Sequence, residues 1–112
     1  MKNKKNIFFR LFATKEVNSK STKDRVQEAL LELLPKGLAY SDVVAAKLGM
    51  DEKTIVYKLQ EEGCTFAEAV EEARKTLAIH YIREDYRLEE IASLLGYTNT
   101  RTLISKVKER IL

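Results

Sequence analysis

The fold is decided by two matching stretches, VAAKLGM at residues 44–50 and IASLLGY at residues 91–97. In each copy an aliphatic residue precedes an alanine, and a Leu-Gly pair follows after two further residues. This spacing is typical of a short helix that buries one face and ends at a glycine in the left-handed conformation. The small side chains of Ala45 and Ala92 permit two helices to cross closely at that point. The pattern therefore predicts two short helices with matching ends.

The repeat continues beyond each glycine into a second helix. There the offset changes from 47 to 48 residues, and the paired apolar positions are Ile55 with Leu103 and Leu59 with Val107. Apolar residues four apart lie on one side of a helix. Two short helices joined by a glycine-containing turn make a helix-turn-helix. The sequence therefore predicts two such units.

The remaining helices are predicted from apolar spacing and capping residues. A first helix is expected from Thr22 to Leu34, with Ser21 or Thr22 as its cap, and Pro35 is expected to disfavour helix at Leu34. Ser41, Asp51 and Asn99 are the expected N-caps of later helices.

The central helix is predicted to be the longest. It begins with the capping-box sequence TFAE at residues 65–68 and ends near Asp85. Its apolar stripe consists of Phe66, Val70, Ala73, Leu77 and Tyr81. No segment shows sustained two-residue alternation, so we expect an all-α fold in which a long central helix joins two helix-turn-helix units. The expected parts are a tail at 1–20, a first unit at 21–63, a linker helix at 64–86 and a second unit at 87–112.

Composition sets the class of protein. The chain has 112 residues, a net charge of +3, one cysteine and no apolar run near the ~20 residues that span a bilayer. We therefore expect a cytoplasmic chain without an intrachain disulfide. Residues 1–20 contain six basic side chains and one acidic one, whereas the rest contain 14 basic and 16 acidic. Most of the basic character thus belongs to the tail.

No catalytic or metal-binding pattern is visible. His80 and Cys64 are the only residues of their types, and a closed structural zinc site needs four ligands. Adjacent acidic pairs, as at residues 61–62, 71–72 and 89–90, point about 100° apart on a helix, which suits solvation rather than acid–base chemistry. We expect no enzymatic activity, no metal and no cofactor.

A wider set of residues matches a known pattern that covers roughly positions 22–112. They are Leu48-Gly49-Met50-Asp51-Glu52-Lys53-Thr54-Ile55, Leu59, Glu61-Glu62-Gly63, Thr65-Phe66, Arg74, Leu77-Ala78, Tyr81-Ile82, Ile91-Ala92, Leu94-Leu95-Gly96-Tyr97-Thr98 and Lys108. In these residues the sequence resembles the DNA-binding domain of AraC/XylS-type transcription regulators. The resemblance implies a homeodomain-like double helix-turn-helix fold, double-stranded DNA as partner and a role in transcription regulation.

The second helix of each unit supplies the candidate DNA contacts, because this helix enters the major groove. With Ile55 and Leu59 inward, the outer face of the first such helix carries Lys53, Val56, Tyr57 and Gln60. Adding 48 gives Arg101, Ile104, Ser105 and Lys108 in the second. Cationic side chains suit guanine or phosphate, and glutamine suits adenine. The predicted DNA-binding residues are Lys53, Tyr57, Gln60, Arg101, Ser105 and Lys108.

Charge divides these two helices. The last helix has Arg101, Lys106, Lys108 and Arg110 against Glu109, whereas residues 51–62 carry two basic and four acidic side chains. We therefore expect the second unit to hold phosphates more strongly.

Two other functions remain open. Val56 and Ile104 are apolar at groove-facing positions, which favours a protein-interaction module that binds a partner regulator or a second copy. The other function is that of a non-specific nucleoid-type binder that uses its basic tail.

The apolar stretch IFFRLF at residues 7–12 could pack on the domain, mediate dimerisation, remain disordered or contact a membrane surface.

Overall fold

Six α-helices and one short 3₁₀ helix make up the computed structural model, which describes residues 20–111 apart from the side chains of Glu109 and Ile111. They are α1 (Thr22–Leu33), the 3₁₀ helix (Leu34–Lys36), α2 (Ser41–Leu48), α3 (Glu52–Glu61), α4 (Phe66–Arg83), α5 (Leu88–Leu95) and α6 (Thr100–Ile111). No strand occurs within this range, so the predicted all-α fold is confirmed. The predicted tail lies outside the described residues except for Lys20.

Side-chain caps begin four of the helices as predicted. The Ser21 side chain accepts a hydrogen bond from the backbone N–H of Asp24, and Asp51 accepts one from Lys53, at 3.1 and 3.0 Å. Thr65 and Glu68 form the reciprocal capping box of α4. The Asn99 side chain accepts a bond of 2.8 Å from the N–H of Thr102. Each cap satisfies a backbone donor that has no partner within its own helix.

The region between α1 and α2 differs from the prediction. Leu34 is helical, with φ −62° and ψ −44°, and Pro35 lies at the start of the 3₁₀ helix. Proline is tolerated there because a first-turn N–H needs no helical partner. The expectation that Pro35 disfavours helix at Leu34 is therefore wrong. Ser41 is not an N-cap either: it is the first residue of α2, and its hydroxyl donates to the Glu52 carboxylate.

The repeated turns share one hydrogen-bonding pattern. Gly49 and Gly96 both have left-handed backbones, with φ 66° and 82°. In each turn the N–H of the residue after the glycine donates to the carbonyl five residues earlier, Met50 to Ala45 and Tyr97 to Ala92, both at 2.9 Å. This bond belongs to the Schellman motif, which closes the end of a helix. The matching helix ends predicted from the sequence are thus present.

The likeness between the two copies also includes the helix before each pair. After α1, Gly37 has φ 75° and the N–H of Leu38 donates to Leu33 at 3.0 Å. Forty-eight residues later, Asp85 has φ 64° and the N–H of Tyr86 donates to Tyr81 at 3.1 Å. The backbone thus makes α4 the counterpart of α1, and the described chain consists of two three-helix copies.

One core runs through both copies. Helix α1 packs on α2, α3 and α4, and α4 packs on α5 and α6. The largest fully buried side chains are Tyr81, Leu30, Ile55, Leu59, Leu77, Ile91, Leu95, Leu103, Val26, Val44 and Val107. Ala45 and Ala92 are buried, whereas Phe66 and Val70 of the predicted α4 stripe are only half-buried.

Polar contacts hold α1 against the rest of the first copy and against α4. The Glu62 carboxylate accepts hydrogen bonds from the backbone N–H groups of Thr22 and Lys23, at 3.1 and 2.9 Å. A carboxylate at a helix N-terminus also interacts favourably with the helix dipole. The Gln27 side chain donates to the carbonyl of Ala69 at 2.7 Å. The end of α3 thereby fixes the start of α1, and α1 is tied to α4.

The left-handed turns predict different effects for two substitutions. An added Cβ at Gly96 meets no atom within 4 Å, so Gly96→Ala costs only the backbone strain of φ 82°. We expect it to lower the free energy of unfolding by about 1 to 2 kcal/mol. Asp85→Gly relieves the same strain and should leave stability unchanged or raise it. Urea denaturation checks both, and an unchanged stability for Gly96→Ala would contradict the role of the turn.

Candidate nucleic-acid interface

The outer face of α3 is solvent-exposed, as predicted. Ile55 and Leu59 are completely buried beneath it. Lys53, Tyr57 and Gln60 are exposed, and their spacing of four and three residues places them on one side of the helix. The start of this helix is fixed by the Asp51 cap and by the contact between Ser41 and Glu52 described above. The position of the exposed face of α3 thus depends on a well-defined N-terminus of that helix.

The outer face of α6 repeats this arrangement. Leu103 and Val107 are buried against the core, and Arg101, Ser105 and Lys108 are exposed on the opposite side. The structure therefore gathers the six predicted residues into two groups of three, one on each helix. Contact of these residues with DNA stays a prediction.

Apolar side chains interrupt both exposed faces. Val56 and Ile104 are each 46% exposed, and Tyr57 is 61% exposed. Large apolar groups at such positions can contact a thymine methyl group, but they donate no hydrogen bond to a base edge. Leu38 and Tyr40, in the loop before α2, are also exposed.

The basic residues of α6 are divided between two environments. Lys106 lies 4.0 Å from the Glu71 carboxylate of α4, and Arg110 pairs with Glu72. Arg110 also donates to the hydroxyl of Thr76 at 3.3 Å. By contrast, no residue in the described part of the chain forms an ion pair with Arg101 or Lys108. Half of the cations counted in the sequence thus serve helix packing, so the charge available for phosphates on α6 is smaller than its composition indicates.

Arg74 of α4 contacts three parts of the structure: the end of α5, the turn that follows it and Glu71 of its own helix. Its Nε donates to the carbonyl of Leu95 at 2.9 Å, and its Nη1 pairs with Glu71. Its guanidinium carbon lies 5.8 Å from the centre of the Tyr97 ring, within the range of a cation–π contact. Sequence reasoning assigned Arg74 no function beyond the resemblance, because its partner Leu95 is 21 residues away and no local pattern indicates that contact.

Tyr97 is the most perturbed titratable residue near this cluster. Burial, and secondarily the charge of Glu71, raises the pKa of its hydroxyl to about 12, whereas the charge of Arg74 opposes the rise. The Tyr97 hydroxyl is buried and has no hydrogen-bond partner among the described residues. Burial also raises the pKa of Tyr81.

His80 and Cys64 occupy packing positions. The His80 ring makes an edge contact with Tyr81, with ring centres 5.7 Å apart. Cys64 is buried, and its Sγ donates to the carbonyl of Thr65 at 3.2 Å. Within residues 20–111 no group of three or more His, Cys, Asp or Glu side chains could hold a metal ion. None of the helices in that range is long and apolar enough to cross a membrane.

The environment of Tyr97 predicts a loss of stability at alkaline pH. Its pKa is 10 when unfolded and about 12 when folded, so the unfolded state releases the proton first. The stabilising contribution is therefore complete below pH 10 and disappears as the pH rises from 10 to 12. We expect Tyr97→Phe to reduce this decline, with a smaller decline remaining from Tyr81.

Urea denaturation at a series of pH values measures the Tyr97 effect. The matched control is Tyr57→Phe, because the Tyr57 side chain is mostly exposed. The alkaline decline of Tyr97→Phe is compared with the decline of this variant. An alkaline profile that is the same for Tyr97→Phe and the wild type would contradict the assignment.

Comparison with known proteins gives one significant similarity. The chain is 32% identical over 86 residues to the HTH-type transcriptional regulator VqsM of Pseudomonas aeruginosa. The match includes 76% of this chain but only 26% of VqsM, so the chain spans about a quarter of that curated relative. No protein-family profile matches the chain. No solved structure matches it significantly.

Proposed function

We propose that this chain is a sequence-specific DNA-binding transcription regulator of the AraC/XylS type. Residues 21–63 and 87–112 are its two helix-turn-helix units, and the helix in 64–86 both joins them and begins the second copy. Helices α3 and α6 enter successive segments of the major groove, about 34 Å apart along the duplex. Such a regulator acts on double-stranded DNA in the cytoplasm.

The observation that carries this proposal is that the same type of helix end occurs twice, and that each time the helix that follows has one exposed face. Gly49 and Gly96 are both left-handed, and the residue after each glycine donates its N–H to the alanine carbonyl five residues earlier. Each turn is followed by a helix that buries two apolar residues and exposes its other side. A generic helical hairpin can show this once, but its occurrence twice in one chain supports the proposal of a repeated binding unit. The similarity to a relative named as an HTH-type transcriptional regulator supports the same function.

The exposed residues divide into roles by their chemistry. Arg101 and Lys53, near the starts of α6 and α3, suit guanine or phosphate, and Gln60 suits adenine. Lys108 adds a cation one helical turn beyond Ser105. Because Arg101 and Lys108 have no ion-pair partner within residues 20–111, they can bind phosphates without first breaking an internal pair.

Selection of bound sequences from a random DNA pool tests the proposed function. We expect a two-part motif whose halves are centred about 10 bp apart, because each recognition helix reads one major-groove segment. No enrichment over the starting pool would contradict sequence-specific binding. Enrichment of a single short element would contradict the use of both units.

The salt dependence of binding tests the two α6 cations. We expect the double variant Arg101→Gln with Lys108→Gln to bind more weakly and to flatten the slope of log affinity against log salt by about 1.8, since each phosphate contact contributes about 0.9. Fluorescence anisotropy titration at several salt concentrations measures both quantities.

The same helix supplies a matched control for this double variant. Lys106→Gln with Arg110→Gln removes the same charge from the side that pairs with Glu71 and Glu72. The control should leave the slope nearly unchanged. Equal slopes for the wild type and the Arg101/Lys108 variant would show that these residues do not bind phosphate.

A second candidate function is protein interaction through the apolar groups on the same faces. It is favoured by the exposure of Val56, Tyr57 and Ile104. If these groups join two copies of the chain, sedimentation will show association that increases with concentration and disappears in Val56→Ser with Ile104→Ser. If the DNA-binding function is correct, the wild type and this variant will sediment alike, and the variant will lose affinity only for the selected DNA site.

A further inference from the structure

We propose that Arg74 is the positioning residue of the second recognition helix: it sets the orientation of α5, the turn and α6 on α4 without contacting DNA. This inference rests on the proposed DNA-binding function. It concerns a residue outside the exposed faces of α3 and α6, and it explains why α4 carries a partly buried arginine at this point.

Arg74 contacts the C-terminal end of α5. The last carbonyl groups of a helix have no partner within the helix, and the C-terminal end of its dipole favours a positive charge. The Arg74 Nε donates to the Leu95 carbonyl at 2.9 Å, immediately before the left-handed Gly96. The guanidinium therefore binds the backbone where the chain turns toward α6.

Arg74 and its neighbour Glu71 also contact the turn and α6. The Arg74 guanidinium lies by the ring of Tyr97, the residue that follows Gly96. Glu71, three residues before Arg74 on α4, pairs with Arg74 and lies 4.0 Å from Lys106 of α6. The contacts thus form a closed ring from α4 to α5, through the turn to α6, and back to α4. A planar guanidinium with several fixed donors suits such a junction better than an ammonium group does.

In the first copy, the arginine of the corresponding helix makes a different contact. There an arginine of the corresponding first helix, Arg25 of α1, also approaches the residue after the left-handed glycine, with its Nη1 3.9 Å from the Met50 sulfur. No side chain within residues 20–111 donates to the carbonyl of Leu48, the counterpart of Leu95. The backbone-anchored arginine is therefore specific to the second copy.

The Arg74 side chain lies at a partly exposed position, outside the apolar core. The Arg74 side chain is 25% exposed, and it lines an open groove of about 300 Å³ between the two copies, together with Ala39, Val70 and Leu94. Leu95 and Leu103 are buried among the apolar residues of the core. Removing the guanidinium should consequently change the orientation of the second helix pair more than the stability of the whole chain.

The test uses the full chain with Arg74→Gln, Arg74→Lys and the matched control Arg25→Gln. We expect Arg74→Gln to reduce affinity for the selected DNA site about tenfold, the size of losing one good base contact. The loss should be confined to the half-site read by α6, which is shown by pairing each variant with DNA altered in one half-site. Arg74→Lys should restore only part of the affinity, and Arg25→Gln should have little effect.

Salt dependence and thermal unfolding separate positioning from other roles. The salt slope is best compared in the Arg101→Gln with Lys108→Gln background, where the proposed phosphate contacts of α6 are already absent. There Arg74→Gln should leave the slope unchanged, because Arg74 itself contacts no phosphate. A further reduction of about 0.9 in that background would mean that Arg74 binds phosphate and would overturn the proposal. Equal losses at both half-sites, with a matching loss of thermal stability, would show a general structural role and would also overturn it. Unchanged affinity for Arg74→Gln would do the same.

Amide chemical shifts test the inference independently of DNA. In Arg74→Gln we expect the shifts of residues 94–106 to change, while those of α2 and α3 stay as in the wild type. If the wild type selects no DNA sequence, the proposed function fails, and the shifts still decide whether Arg74 positions this segment. Unchanged shifts throughout residues 94–106 would overturn the positioning role whatever the DNA result.

Discussion

The hydrogen bond that closes each short helix over its glycine is the constraint on which the rest of the structure depends. From Met50 to Ala45 and from Tyr97 to Ala92, it fixes how the chain leaves one helix and begins the next. Because the direction in which the chain leaves each turn is fixed, Ile55 and Leu103 lie in the core. The opposite side of each following helix is then exposed as a direct consequence. A few backbone atoms in each copy thus determine which side chains can reach a partner.

Sequence reasoning identified most of the features whose signal is local, although the expectations for Ser41 and Pro35 were wrong. Caps such as Asp51, the capping box at Thr65 and the glycine turns each depend on residues within one or two helical turns, so their spacing is visible in the chain. The likeness of α4 to α1 escaped notice because Asp85 occupies the left-handed position that Gly37 holds in the first copy. The contacts of Glu62 with α1 and of Arg74 with Leu95 join residues 39–40 and 21 positions apart. No periodic pattern encodes such contacts.

The charges of α6 also could not be interpreted from the sequence alone. A count over α6 treats its basic residues as equivalent, but Lys106 and Arg110 face the acidic side of α4 and the other two face solvent. The acidic residues of α4, which suggested only a solvated surface, neutralise one side of the neighbouring helix. Net charge therefore says little about a binding face until the pairs are known. The exposed positions of the six candidate residues could be predicted from periodicity, because Ile55 and Leu59 define the inward side of α3 and Leu103 and Val107 that of α6.

The packing of α1 against α4 limits how modular this molecule is. Although the backbone repeats itself, the two copies bury their first helices against each other instead of each closing a core of its own. Cutting the chain near Gly63 would expose the matching faces of both helices, including the carbonyl of Ala69 that Gln27 binds. Each copy therefore relies on the other to bury the apolar face of its first helix, and the two share a single core.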